Sequence, residues 1–270
     1  MELLSFTKAH GSGNDFILVD DRQLQFPIGE DSWISRLCDR RFGIGADGLI
    51  LLQHSTEADY RMRYFNADGK EARLCGNGVR CFVAFAHELG DARPFLSVET
   101  ASGIIACRRD NERISIGLPS PELIKGPFSL ALSSGVRDIF HVQAGVPHAI
   151  LFSENLEKED VFSVGKEIRY HPALGPLGAN VNFIAWHGKN EVRVRTYERG
   201  VEEETWACGT GALAVAKVIS LLKLLERVVI IPRSQECMEI NTTTWELTGP
   251  AQLVYKGIIR LADAMVLPGI

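Results

Sequence analysis

The sequence predicts a mixed α/β (α+β) fold of two pseudo-symmetric domains, each a mostly antiparallel sheet wrapped around a central helix, with the active site in the cleft between them. The pattern Cys-Gly-x-Gly occurs twice, as CGNG at 75–78 and CGTG at 208–211, each directly ahead of a helical pattern. Tyr64 and Tyr197 each lie eleven residues before their cysteine, and Asn66 and Arg199 each lie nine before it. The order of elements around the two motifs is also shared. Such agreement is the mark of two copies of one fold, each placing a strand, a loop and a cysteine at a helix start.

In the first half, FILVD (16–20) reads as a strand, and Asp31 or Ser32 is expected to cap a helix through WISRLCDRR that ends at Gly43. GLILLQ (48–53) and YRMRYF (60–65) read as strands, NADG (66–69) as a turn, and VRCFVAFAHELG (79–90) as a helix closed by Gly90. LSVET, GIIACRR and RISIGL then form a meander. In the second half, HVQAGVPHAILF is extended, EKEDVFSVGKEIRYH helical, and NFIAWH with EVRVRTYE a hairpin about HGKN. The apolar helix ACGTGALAVAKVISLLKLL follows, and VVIIP, CMEINT, TWELTG and AQLVYKGIIRL end the chain as strands. Pro119, Pro121, Gly126 and Pro127 mark the expected linker, which places the domains at 1–118 and 119–270, the last strand being able to return to the first domain.

With 270 residues, 46% of them hydrophobic, the chain can bury its cores without staples. The net charge of -5, mixed in sign along the chain, argues against nucleic acid or an anionic membrane as partner. No apolar run approaches a membrane span and the N-terminus has no leader pattern, so a cytoplasmic protein is expected. The six cysteines (38, 75, 81, 107, 208, 237) include no Cys-x-x-Cys pair, so reduced thiols and no metal site are expected. Cys38, Cys81, Cys107 and Cys237 are read as packing residues.

A cysteine at a helix start meets N–H groups that have no acceptor within the helix, together with the positive end of the helix dipole. Both favour the thiolate and lower the thiol pKa from its usual value of about 8.5. The flanking glycines are expected to permit unusual dihedrals and close approach of a ligand. The N–H groups of Gly76 and Asn77, and of Gly209 and Thr210, could also hold a carboxylate. One such cysteine suggests a nucleophile with a base such as His148. Two matched cysteines suggest removal of a proton from one face of a carbon and its return to the other, which inverts the centre.

The segments HGSGNDF (10–16), RRFGIGADG (40–48), FNADGKEARLCGNGVRC (65–81), NVNF (180–183) and YERGVEEETWACGTGA (197–212) together resemble the motif set of the diaminopimelate epimerase family. The resemblance implies a cofactor-independent epimerase, usually a homodimer, that interconverts LL- and meso-diaminopimelate for lysine and peptidoglycan synthesis. It implies that Cys75 and Cys208 transfer the protons. Gly76, Asn77, Gly209 and Thr210 then hold the reacting carboxylate, Asn14, Asn66, Asn182 and Arg199 bind the substrate's polar ends, Glu198 lies beside the amino group, and His148 tunes the cysteines. Family members usually carry Gln at the position of Gly48 and Asn at that of Val146. Their absence suggests a roomier pocket with relaxed specificity, for example towards glutamate. Two alternatives are another isomerase of the same fold, such as a hydroxyproline epimerase, and a noncatalytic amino-acid-binding protein.

Read without the resemblance, the same residues have plainer roles. Cysteines are often small apolar fillers, Asn14 and Asn66 stand in turn sequences, Arg199 could form a surface ion pair, with Glu198 as its partner, and a lone histidine such as His148 is often a hydrogen-bonded core residue.

Overall fold

The computed structural model describes residues 3–29 and 31–260. In chain order its first elements are β1 (Leu3–Gly11), β2 (Asn14–Asp20), α1 (Asp31–Cys38), β3 (Gly48–Gln53), β4 (Tyr60–Asn66), β5 (Glu71–Ala72), α2 (Gly76–Glu88), β6 (Phe95–Thr100), β7 (Gly103–Asp110) and β8 (Arg113–Gly117). Then come β9 (Glu122–Leu132), β10 (Gly135–Ala144), β11 (Val146–Phe152), α3 (Val161–Arg169), β12 (Asn180–Trp186), β13 (Glu191–Glu198), β14 (Glu203–Thr205), α4 (Gly209–Lys223), β15 (Arg227–Ile231), β16 (Met238–Asn241), β17 (Glu246–Pro250) and β18 (Gln252–Arg260). The chain divides into one unit running to Ile116 and resuming at Pro250, and a second from Gly117 to Gly249.

Within the first unit the strands run in the order β18, β1, β2, β3, β4, β6, β7, β8, with β5 beside β4. The pairs β2–β3 and β4–β6 are parallel and the others antiparallel. The second unit has the order β9, β10, β11, β12, β13, β15, β16, β17, with β14 beside β13, and its parallel pairs are β11–β12 and β13–β15. The two sequences of parallel and antiparallel pairs are identical. A parallel pair needs a crossover, and the four crossovers carry α1, α2, α3 and α4 in turn. The equivalence also accounts for β18: the first unit's position matching β9 is filled by the last described strand.

Each sheet packs a helix on both faces. In β2, Ile17 and Val19 point into the cluster that holds Trp33, Ile34 and Leu37 of α1. Phe16 and Leu18, also buried, point to the opposite face by strand alternation. There α2 lies, in contact with β1, β2, β3, β4 and β18 and buried over most of its circumference. In the second unit Leu151, Val181, Phe183 and Tyr197 pack with Val161, Val164 and Ile168 of α3, while α4 touches β9 to β12, β15 and β16. Helices covered all round carry few charges, and α4 has none between Gly209 and Ala216.

Some expected boundaries shift. The helix read as 79–90 begins at Gly76, because CGNG supplies the cap and first turn and is not a loop ahead of them. Helix α1 begins at Asp31, so its capping residue lies outside the described residues. Strand β1 and strand β9 have no counterpart in the reading of the sequence. Much of the expected linker is strand: Gly126 and Pro127 lie inside β9, which among the described residues of its unit pairs only with β10 and has register shifts opposite Ile139 to Val142. An edge position with a bulge tolerates a residue without an N–H.

Gly165 sets the approach of α3 to its sheet, since a Cβ there would lie 2.6 Å from Cβ of Tyr197. Gly165→Ala should destabilise the second unit by about 1–3 kcal/mol, the usual cost of overpacking. Urea denaturation followed by circular dichroism checks this, and an unchanged midpoint would contradict it.

Candidate active site

Cys75 is the N-cap of α2 and Cys208 the N-cap of α4. Both have extended backbones, φ -135°, ψ 113° and φ -124°, ψ 113°, as capping requires. Each sulfur accepts the N–H three residues on: Gly78 N–H to Cys75 Sγ at 3.5 Å and Gly211 N–H to Cys208 Sγ at 3.3 Å. The first helical bonds then run from Val79 N–H to Cys75 C=O and from Ala212 N–H to Cys208 C=O, both 2.9 Å. Gly76 and Asn77, like Gly209 and Thr210, thus precede the first intrahelical bond, where an anion is favoured.

The motif glycines act through space and not through unusual dihedrals, since Gly76, Gly78, Gly209 and Gly211 are absent from the positive-φ residues. A Cβ on Gly211 would lie 2.5 Å from Oδ1 of Asn182 and 3.3 Å from Cys208 Sγ, and one on Gly78 would lie 3.0 Å from Cδ1 of Ile50. The second glycine of each motif lets the first turn sit against its sheet.

In the first unit Asn14 Oδ1 accepts from Cys75 Sγ at 3.5 Å and from Asn77 Nδ2 at 3.2 Å. Asn14 Nδ2 donates to Asp47 at 2.7 Å, which fixes the amide's direction. Asp47 and Asp15 share Arg40, and Asp15 also pairs with Lys8. Burial works to raise the Asp15 carboxyl, but hydrogen bonds and charge from Arg40 and Lys8 outweigh it and hold the pKa at about 2. On the helix side, the fully buried Arg80 donates to Asn77 Oδ1, Ser12 Oγ and the Pro250 carbonyl.

In the second unit Thr210 Oγ1 lies 3.4 Å from Cys208 Sγ and 3.1 Å from Nε2 of His148. His148 is completely buried. Asn182 Oδ1 accepts the Thr196 hydroxyl, so its Nδ2 faces His148 Nδ1, at 3.0 Å. Nδ1 is therefore the acceptor of the ring and Nε2 carries the proton. It donates to Thr210, whose own hydroxyl proton is left to point at sulfur. Asn180 Oδ1 accepts the Arg199 N–H at 2.7 Å, so its Nδ2 also faces the ring as a donor. At 3.4 Å from Nε2, against 3.0 Å for Asn182 Nδ2 at Nδ1, it is the weaker contact and yields Nε2 to Thr210. Polarity thus runs from Thr196 through Asn182, His148 and Thr210 towards Cys208.

The model of the family described as diaminopimelate epimerase matches residues 6–121 and 140–254. The chain belongs to the diaminopimelate epimerase family. It is 39% identical to the diaminopimelate epimerase of Methanocella arvoryzae, over 96% of this chain and 98% of that protein. Against that of Aquifex aeolicus the identity is 35%, over 97% and 99%. Among solved structures, a hydroxyproline epimerase from Agrobacterium vitis with bound trans-4-hydroxy-L-proline has a TM-score of 0.74 at 15% identity, covering 96% of this chain and 91% of that one. A phenazine biosynthesis protein of the PhzF family from Bacillus anthracis has a TM-score of 0.72 at 18% identity, covering 96% and 100%. At these identities the two structures bear on the fold alone.

Family membership gives weight to where the remaining site residues lie. Asn14, Cys75 and Asn77 are joined by hydrogen bonds, as are His148, Asn182, Thr210 and Cys208. Asn182 is fully buried with its amide taken by His148 and Thr196, the setting of an orienting group. Glu198 Oε2 accepts from Thr205 Oγ1. The half-buried Arg199 guanidinium has no carboxylate partner among the described residues, so it is not the plain ion pair that its neighbour Glu198 suggested. Asn66 stands at the exposed end of β4, its Oδ1 accepting from Tyr64 Oη at 2.7 Å. Asn180, Thr196 and Arg80 escaped the sequence reading, in which Tyr64 figured only as a mark of the repeat. Asn180 could have been found, because it opens the same NVNF motif as Asn182.

All six thiols are free. Burial pushes those of Cys38 and Cys107 up to about 12, where they are inert. Cys81 is buried, whereas Cys237 is half-buried in the irregular segment ahead of β16, its Sγ 3.7 Å from the Gln235 carbonyl, and is not the core filler expected.

Burial, followed by the charges of Arg199 and His141, lowers the His148 pKa from 6.5 to about 3, so the ring is neutral in the folded protein at pH 7. A depressed folded pKa contributes stability that is whole above the unfolded value and lost as pH falls towards the folded one. His148 should therefore cost stability between about pH 6.5 and 3, at up to about 1.4 kcal/mol per pH unit. Denaturation across that range should show a shallower pH slope for His148→Asn than for the parent chain. Equal slopes would contradict a neutral His148.

Proposed function

We propose that the chain is a cofactor-independent diaminopimelate epimerase that interconverts the LL and meso forms with Cys75 and Cys208 as its two acid–base groups. The observation that carries this reading is the repetition, in a member of that family, of one thiol arrangement: a cysteine N-cap whose sulfur accepts the N–H three residues on. Inversion by two bases requires that each group serve as base in one direction and acid in the other. Equivalent caps on α2 and α4 suit that requirement.

In the forward sense one thiolate takes the α-proton and becomes a thiol, and the electron pair moves towards the α-carboxylate. The other thiol then delivers its proton to the opposite face and becomes the thiolate, so atoms and charge balance over the turnover. The N–H groups of Gly76, Asn77, Gly209 and Thr210 are the donors suited to the carboxylate as its charge grows. Neutral His148, donating through Thr210, supports a negative sulfur at Cys208 without itself exchanging a proton. Arg199, Asn14, Asn66 and Glu198 are assigned to the substrate's polar ends. The enzyme is taken to be a cytoplasmic homodimer in lysine and peptidoglycan synthesis; among the described residues no helix is long and apolar enough to cross a membrane.

Relaxed specificity towards glutamate rested on space at Gly48 and Val146. The Tyr64 ring lies against Gly48, so the room at that position is taken and gives no ground for such relaxation.

Cys75→Ser and Cys208→Ser, followed separately in deuterated solvent, test the mechanism. Each should lower inversion by at least about 100-fold, in line with loss of a general acid or base. The two should differ in which stereoisomer still exchanges its α-proton. Exchange by wild-type protein separates an enzyme from a binding protein. Inversion surviving in either variant at parental rates would rule out two thiol bases. Turnover of glutamate or hydroxyproline at rates matching diaminopimelate would overturn the substrate assignment.

A further inference from the structure

We propose that Tyr64 and Gly48 form a specificity-determining pair, which turns the amide of Asn66 so that its N–H₂ group selects a carboxylate at the substrate's distal end. This deepens the epimerase reading and rests on it.

Gly48 of β3 pairs directly with Asn66 of β4, and Ile50 pairs with Tyr64. Side chains alternate along a strand, so residues 48, 64 and 66 share one face. A Cβ on residue 48 would lie 2.7 Å from Cε2 of Tyr64 and 2.4 Å from the Phe65 carbonyl oxygen. The ring thus occupies the room a side chain at 48 would take. Phe16 meets the ring edge-on, with centroids 5.9 Å apart and planes at 77°, so the buried Tyr64 is held in place. Its hydroxyl reaches the rim of the strand and meets Asn66 Oδ1 at 2.7 Å.

That bond decides what Asn66 offers. With Oδ1 engaged, the exposed Nδ2, which has no protein partner among the described residues, presents two donors and no acceptor. Two donors suit a carboxylate and repel an ammonium group. The distal end of diaminopimelate carries both groups, and the amide selects between them.

The test uses meso-diaminopimelate as substrate and two inhibitors: L-2-aminopimelate, which keeps the distal carboxylate, and L-lysine, which keeps only the distal amine. Tyr64→Phe keeps the ring and frees the amide. It should raise KM and the 2-aminopimelate inhibition constant together by about 5- to 20-fold, the worth of one positioned hydrogen bond to a charged group, with kcat held and lysine inhibition unmoved. Asn66→Asp replaces the donor pair by an acceptor at an exposed position, so it should fold, lose 2-aminopimelate binding by more than about 100-fold and bind lysine no worse. An unchanged KM in Tyr64→Phe, a fall in kcat alone, equal losses for both inhibitors, or retained 2-aminopimelate binding in Asn66→Asp would overturn the proposal. Should Tyr64→Phe misfold, the Asn66→Asp arm still decides it. Failure of wild-type protein to epimerise diaminopimelate would instead sink the functional reading, and the inhibitor arms, measured by calorimetry, would remain informative about Asn66.

Discussion

The site in each unit depends on one constraint: a sulfur atom must accept the helix N–H that a Ser, Thr, Asp or Asn oxygen usually accepts. Gly78 and Gly211 donate to Cys75 and Cys208, and this ties thiol chemistry to the start of a buried helix. The cap places the sulfur where backbone N–H groups and the helix dipole favour negative charge. It also explains the spacing of the motif. The donor is three residues on, and that residue has to be glycine where the helix start meets Ile50 in one unit and the Asn182 amide in the other.

Around this shared core the two halves diverge. Cys75 has an amide oxygen, Asn14 Oδ1, within reach, an acceptor for a thiol proton. Cys208 has the hydroxyl of Thr210, backed by the Nε2 proton of His148. The two positions are equivalent in the fold, yet each sulfur has its own partners. The cost of burying His148, Asn182 and Thr196 is offset because their polar atoms are matched donor to acceptor. The Asn182 amide is fixed in direction, because turning it would set its Oδ1 against His148 Nδ1, acceptor against acceptor.

Gly48 shows how a neighbouring strand takes up the room beside a motif glycine. A glycine at a strand position suggests empty space beside it. The neighbouring strand supplies the Tyr64 ring instead, and the ring's hydroxyl donates to Asn66 Oδ1. Pairing of β3 with β4 brings the two positions together, although sixteen residues separate them.

By itself the sequence determined the duplication, the helix-start cysteines and the family resemblance, because these rest on local spacing: a cap and its donor are three residues apart, and a turn is written in its own residues. Most strands of the meanders and hairpins were legible for the same reason. Strands β1 and β9 were not, since β1 owes its place to pairing with β18 at the far end of the chain, and β9 is an edge strand interrupted by Gly126-Pro127. Tertiary structure alone decided that β18 completes the first unit, that Arg80 secures Asn77, that Asn182 orients His148, and that Tyr64 fills the space at Gly48. Each of these joins groups brought together by strand pairing or by burial, and the energy of such a contact depends on distance and desolvation, which no run of neighbouring residues encodes.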